Sequence, residues 1–74
     1  MVLVNCALRQ DDIIEIVENI EVGNKKVFKL IKKQGIQIHF NCNLSNQQEA
    51  ATIAKQEIKA TQLGKALFFN VVAQ

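Results

Sequence analysis

Residues Ile36 to Asn43, with the sequence IQIHFNCN, show the clearest periodicity in the chain. Apolar side chains at the even positions 36–42 alternate with polar side chains at the odd positions 37–43. A period of two is typical of a strand that has one buried face and one wet face, and a slip of one residue would bury the polar set. The pattern therefore predicts a strand over residues 36–43, in a sheet that is covered on one side only.

The preceding segment, residues 25–33 with the sequence KKVFKLIKK, fits two structures. Its apolar positions would suit a helical stripe that ends at Gly35, and they would also suit a strand. Three features favour the strand. The segment is rich in aromatic and β-branched residues, and its first two residues are lysines, which the N-terminus of a helix disfavours. The Gln34-Gly35 pair that follows can turn a hairpin. We predict a strand at the edge of the sheet, where lysines discourage unwanted pairing, with the helix as the alternative.

The N-terminal third predicts a strand followed by a helix. Residues 1–8, MVLVNCAL, form a short apolar run that is typical of a central strand. Isoleucine and valine then recur at helical spacing through residues 11–21, and Asp11 and Asp12 stand where the positive end of the helix dipole favours acids. Gly23 and Asn24 are residues that leave a helix through a left-handed turn, so we expect the chain to reverse there.

The C-terminal part predicts a helix and a last strand. Ser45 and Gln48 have the spacing of a capping box, and an alanine-rich stretch continues to Gly64. Residues 65–73 follow as a strand with alternating sides.

The predicted element order is β-α-β-β-α-β, which resembles the ferredoxin-like fold. Right-handed crossovers then give a four-stranded antiparallel sheet of order 4-1-3-2 with both helices on one face, a two-layer α+β sandwich. We expect residues 1–74 to form one small domain. The resemblance is to a fold and not to a family, so function is argued from the surfaces alone.

Size and composition exclude several classes of protein. The chain has 74 residues, 49% of them hydrophobic, with no proline and two cysteines, which indicates a small globular protein without a disulfide scaffold. So short a chain buries only about 60% of its unfolded surface, so we expect association to supplement the core. No basic leader precedes the first apolar run, so we expect a cytoplasmic protein that has no membrane contact.

Charge is unevenly distributed along the chain. Residues 1–24 carry one arginine against five acids, whereas residues 25–33 carry five lysines and no acid. The net charge is only +2, so the chain is a charge dipole rather than a basic protein. We interpret Arg9, the only arginine, as a surface or capping cation.

The reactive residues do not form a predicted catalytic or metal site. Cys6 and Cys42 fall near opposite ends of antiparallel strands, so we expect two buried thiols that do not pair. His39 and Cys42 differ in strand parity and point to opposite faces, and no carboxylate is predicted beside His39. We therefore predict a protein that is not an enzyme and holds no cofactor or metal.

The sheet face that the helices leave uncovered, called the helix-free face below, mixes apolar and polar side chains. The predicted binding residues are Asn5, His39, Asn41, Phe68 and Asn70 on that face, with Lys29 and Lys33 on the edge strand. Leu3, Val27, Ile31 and Val72 are expected beside them. Such an amphiphilic sheet predicts a non-enzymatic module that associates with itself, as a homodimer, or with a protein partner.

Two other functions remain open for the same face. A single-stranded RNA-binding module would use Phe68 for base stacking and the Lys25 to Lys33 cluster for phosphates, although the small net charge makes nucleic acid the weaker partner. A small-ligand-binding dimer would enclose a pocket between two sheets.

Overall fold

In the computed structural model, which describes residues 1–74, the chain forms six strands and three helices. In chain order these are β1 Val2–Asn5, α1 Gln10–Glu18, β2 Glu21–Val22, β3 Lys25–Lys26, β4 Phe28–Gln34, β5 Gln37–Cys42, α2 Gln47–Lys59, α3 Gln62–Ala66 and β6 Asn70–Ala73. Strands β4, β5, β1 and β6 lie side by side in that order in one antiparallel sheet, and β2 pairs with β3 in a separate ribbon. The predicted small α+β domain with a four-stranded antiparallel sheet is confirmed.

The core lies between one face of this sheet and the helices. Every second residue of β5 is buried, as the alternation predicts, while Gln37 and Asn41 are exposed. Two strands and two helices contribute buried residues to one hydrophobic cluster. These residues are Val2 and Val4 of β1, Ile38, Phe40 and Cys42 of β5, Ile13 and Val17 of α1, and Ala50, Ala51, Ala54 and Ile58 of α2. The small side chains of α2 let this helix pack closely on the sheet.

The hairpin β4–β5 confirms a strand, not a helix, for most of residues 25–33. Gln34 pairs with Gln37 across a two-residue loop in which Gly35 has a φ of 59°, a left-handed conformation that favours glycine. The ladder shifts register between Leu30 and Lys32, so β4 carries a bulge there. This bulge moves every later β4 side chain relative to the simple alternation.

Helix α1 ends at Glu18, earlier than the predicted residue 21, because the next residues form the ribbon β2–β3. Gly23 and Asn24 both have left-handed φ values, 62° and 65°, the pattern of the tight hairpin turn in which both central residues are left-handed. The Gly23-Asn24 pair therefore turns a hairpin and does not end the helix.

The predicted start of α2 was wrong by one residue, because the side chain of Asn46, not Ser45, accepts the Glu49 N–H at 3.1 Å. The predicted end at Gly64 was also wrong. Thr61 caps a second short helix, α3, by accepting the Gly64 N–H at 3.0 Å. A Cβ at Gly64 would lie 1.8 Å from the Ile58 carbonyl oxygen, so glycine is required where α3 folds back against α2.

The last strand is shorter than the predicted span of residues 65–73. Lys65 and Ala66 belong to α3, residues 67–69 connect, and β6 begins at Asn70. The apolar run Leu67 to Phe69 has strand-like composition, but the cap at Thr61 extends helical structure to its border.

Candidate functional site

The helix-free face is identified by parity in the central strands. Val2 and Val4 of β1 are in the core with the helices, so Leu3 and Asn5 project from the opposite side of the sheet. The register then defines two rows across this face. One row contains Gln37, Asn5 and Asn70, and the next contains Lys32, His39, Leu3 and Val72.

The first row is a line of side-chain amides. Asn5 Nδ2 donates a hydrogen bond of 2.6 Å to Asn70 Oδ1 across the β1–β6 pair. Gln37 lies opposite Asn5 on its other side. The structure therefore brings together two predicted site residues, Asn5 and Asn70, in one direct polar contact.

The second row places the apolar Leu3 and Val72 beside His39, which has a ring nitrogen without a protein hydrogen-bond partner. Leu3 is only 4% exposed, although it lies outside the main hydrophobic cluster and no helix covers its face. His39, directly opposite, has its Nε2 atom buried without a hydrogen-bond partner. No protein group in the chain forms a hydrogen bond with this imidazole nitrogen. The centre of the helix-free face is thus already shielded from water in one chain.

Val72 and Ile31 extend this apolar centre toward the two edges. Val72 pairs with Leu3 and is 41% exposed, and Ile31, at the β4 bulge, is 48% exposed. Val27, also expected on this face, is instead buried in the main core just before β4 begins. Its carbonyl accepts the Asn43 N–H at 3.0 Å, which fixes the segment against the end of β5.

The two predicted lysines have different positions. Lys29 lies opposite Asn41, another predicted site residue, before the bulge. The placement of Lys33 on the helix-free face was wrong, because the bulge sets it opposite the buried Ile38, and its Nζ lies 3.1 Å from Asp11 Oδ1 of α1. Lys32 takes the position beside His39. No glycine marks the bulge in β4, so the sequence carries no clear signal for this exchange.

Phe68 is fully exposed, but it lies in the connection before β6 and not in a strand. It borders a shallow hollow at the end of the sheet with Asn5, Asn70 and Ile36. A second hollow beside it is lined only by apolar residues, among them Leu8 and Leu67. Phe68 therefore stands next to the amide row, at one corner of the helix-free face.

The reactive side chains are separated by the sheet. Cys6 and Cys42 are both free and buried, as predicted, and the β1–β5 register places them toward opposite ends of the sheet. Cys42 lies in the core while His39 lies on the helix-free face. No strand of the main sheet carries a carboxylate, and no three His, Cys, Asp or Glu side chains come together as a metal site.

The charge dipole of the sequence is partly neutralised within the chain. Arg9, which has a left-handed φ of 58°, pairs with Asp12 at 2.7 Å, and the Leu30 N–H donates to Glu18 Oε2 at 3.1 Å. Together with the Lys33–Asp11 pair, these contacts occupy acids of α1. Within residues 25–33, four of the five lysines have no carboxylate partner: Lys25, Lys26, Lys29 and Lys32.

No family model, curated protein or solved structure matches this chain. No helix has the length and apolar character needed to cross a membrane, since the longest, α2, has 13 residues.

Proposed function

We propose that this chain is a non-enzymatic interaction module that associates with a second copy of itself through the helix-free face. The same face would serve a different protein partner, and a chain that stays monomeric at every concentration would favour that occupant. The carrying observation is the shielded centre of the face, where Leu3 is 4% exposed beside the unsatisfied His39 Nε2.

The composition of the face supports this proposal. Ile31 and Val72 continue the apolar centre outward, and amides surround it with groups that donate and accept hydrogen bonds. An apolar centre within a polar rim is the usual anatomy of a protein interface.

The orientation of a face-to-face pair follows from charge. A twofold axis parallel to the strands would place β4 of one copy over β6 of the other at the same level along the strands, so Lys32 would lie over Val72 of the second copy rather than over its lysines. An axis across the strands would oppose the two lysine sets, which is unfavourable. We therefore propose the first arrangement.

We also propose that the fold is the ferredoxin-like arrangement with strand order 4-1-3-2. Without the ribbon β2–β3 and the short helix α3, the elements β1, α1, β4, β5, α2 and β6 follow the chain order β-α-β-β-α-β. The antiparallel pairing of β1 with both β5 and β6 supports this proposal.

Light scattering of the whole chain across a concentration series tests the proposed association. Ile31→Glu places a charge on the helix-free face at an exposed position, so we expect the dissociation constant to rise by about tenfold or more. Leu8→Glu is the matched control, because Leu8 is exposed in the β1–α1 connection and not on the sheet. Equal effects of the two substitutions on the dissociation constant would exclude the helix-free face as the interface.

Single-stranded RNA binding is a second candidate function, favoured by two observations. Four of the five lysines in residues 25–33 lack a carboxylate partner, and Phe68 is fully exposed beside the Asn5–Asn70 pair. An exposed ring can stack a base and cations can bind phosphates, so a single strand that crosses the sheet from the β6 side to β4 could use both.

A titration of mixed-sequence, fluorescently labelled single-stranded RNA at moderate salt tests this candidate. Phe68→Ala should weaken binding by about tenfold, whereas Gln56→Ala, at an exposed position of α2, should leave it unchanged. No binding in the micromolar range would remove RNA as a partner.

A further inference from the structure

Strand β6 forms one outer edge of the sheet, and its hydrogen-bonding groups divide into two sets. The Gln74 N–H donates to the Met1 carbonyl at 2.8 Å, and the alternation of an antiparallel ladder extends this pattern to Val72 and Asn70. The Cys6 N–H donates to the Ile36 carbonyl, so even-numbered β1 residues bond to β5 and odd-numbered ones to β6. The N–H and C=O groups of Val71 and Ala73 therefore point away from the sheet.

The two edges of the sheet differ in their protection against strand pairing. Strand β4 carries three lysines and a bulge, and its Leu30 N–H is occupied by Glu18. Lysines and bulges are common means of blocking an edge. Strand β6 has neither, and residues 66–74 contain no charged side chain and no proline. Only the β6 edge is open to a further strand.

We propose that β6 pairs antiparallel with β6 of a second copy, so that two sheets join into one of eight strands. Val71 of each copy lies opposite Ala73 of the other, and the twofold axis passes beside Val72. Of the registers available within β6, this one bonds all outward N–H and C=O groups of Val71 and Ala73. It also sets Val72 opposite its counterpart, which covers a side chain that is 41% exposed.

The distribution of charge over the two sheet edges favours a second copy of the chain as the partner of β6. Residues 66–74 carry no charged side chain, so two β6 edges meet without repulsion, and the β4 lysines Lys29, Lys32 and Lys33 lie at the two far ends of the joined sheet. Pairing through β4 would instead oppose the lysines of both copies. The interface uses backbone groups of an edge, so it does not depend on the proposed function of the helix-free face.

Disulfide trapping of the whole chain tests the register directly. In the proposed pair, Val72 and its counterpart form a non-hydrogen-bonded pair with Cα atoms about 4.5 Å apart, within the range of a disulfide. Val72→Cys should form a covalent dimer under mild oxidation, whereas Lys32→Cys, on the opposite edge, should not. The native chain, whose two thiols are buried, gives the baseline. Equal trapping of the two variants would overturn the proposal.

A proline substitution tests the edge without a new thiol. Val71→Pro removes one outward N–H from each copy, so the dissociation constant of the dimer should rise by about tenfold. Lys33→Pro is the control, because Lys33 is an outward position of the other edge by the same alternation. Circular dichroism checks folding, and Ala73→Pro is the second variant if Val71→Pro unfolds. A folded proline variant that dimerises like the native chain would contradict the pairing.

Discussion

Leu3 lies directly opposite His39 on the helix-free face, and the leucine is 4% exposed although no helix covers it. The main hydrophobic cluster, on the other side of the sheet, does not include Leu3. The pair therefore forms a small second apolar centre, on the side of the sheet where a purely solvated face would carry polar groups.

Leu3→Ala should lower the free energy of unfolding by about 2 kcal/mol, as expected when a buried leucine is truncated. Leu8→Ala should change it by less than about 0.5 kcal/mol, because Leu8 is exposed. Urea unfolding followed by circular dichroism measures both. Similar values for the two variants would show that Leu3 is not a packed residue.

The Asn5–Asn70 hydrogen bond should appear as a coupling energy. A double-mutant cycle with alanine at both positions is expected to give about 0.5 kcal/mol, the usual size of a cross-strand pair. The Lys29–Asn41 pair is the control, because these residues are opposite each other without a side-chain hydrogen bond. A coupling no larger than that of the control would contradict the contact.

Gly64→Ala should destabilise the protein by about 2 kcal/mol, because the added Cβ would collide with the Ile58 carbonyl oxygen. Gly23→Asn is the control, since asparagine tolerates a left-handed φ and Gly23 has open space around it. Thermal unfolding of both variants compares them. A stable Gly64→Ala protein would mean that α3 does not fold back on α2 in this way.

Cys6 and Cys42 should both react slowly with a thiol reagent in the folded protein and rapidly after denaturation, because they are 3% and 7% exposed. Reaction with Ellman's reagent, with and without urea, counts the thiols in each state. Fewer than two thiols after denaturation without a reductant would show a disulfide that the register does not permit.

Periodicity predicted the parts of the fold that are set by local pattern. The alternation over residues 36–43 gave the buried side of β5, although the strand spans only Gln37–Cys42 and Ile36, predicted on the buried side, is 54% exposed in the turn. The spacing of Ile13 and Val17 gave the buried face of α1. Asn5, His39 and Asn70 were placed on the helix-free face for the same reason. A strict period allows little freedom in which side is buried.

The predictions that were wrong depend on contacts between elements, which the periodicity of one segment does not contain. The bulge between Leu30 and Lys32 places Lys32, rather than Lys33, on the helix-free face beside His39. A bulge depends on how two strands pair, so the pattern of one strand does not reveal it. Asn46, rather than Ser45, caps α2, so this helix begins one residue later than predicted. Thr61 caps the additional helix α3, so β6 begins later than predicted and Phe68 lies before it. Contacts between elements, rather than composition, decided these positions.

Association through the helix-free face is tested most directly by nuclear magnetic resonance of the labelled chain over a dilution series. We expect the Ile31 methyl signals and the His39 ring signals to shift with concentration, while the Ile13 signals of the core do not. Pairing through the β6 edge alone would shift the signals of Val71 and Ala73 and leave those of Ile31 unchanged. Concentration-independent Ile31 and His39 signals up to the solubility limit would contradict self-association through this face.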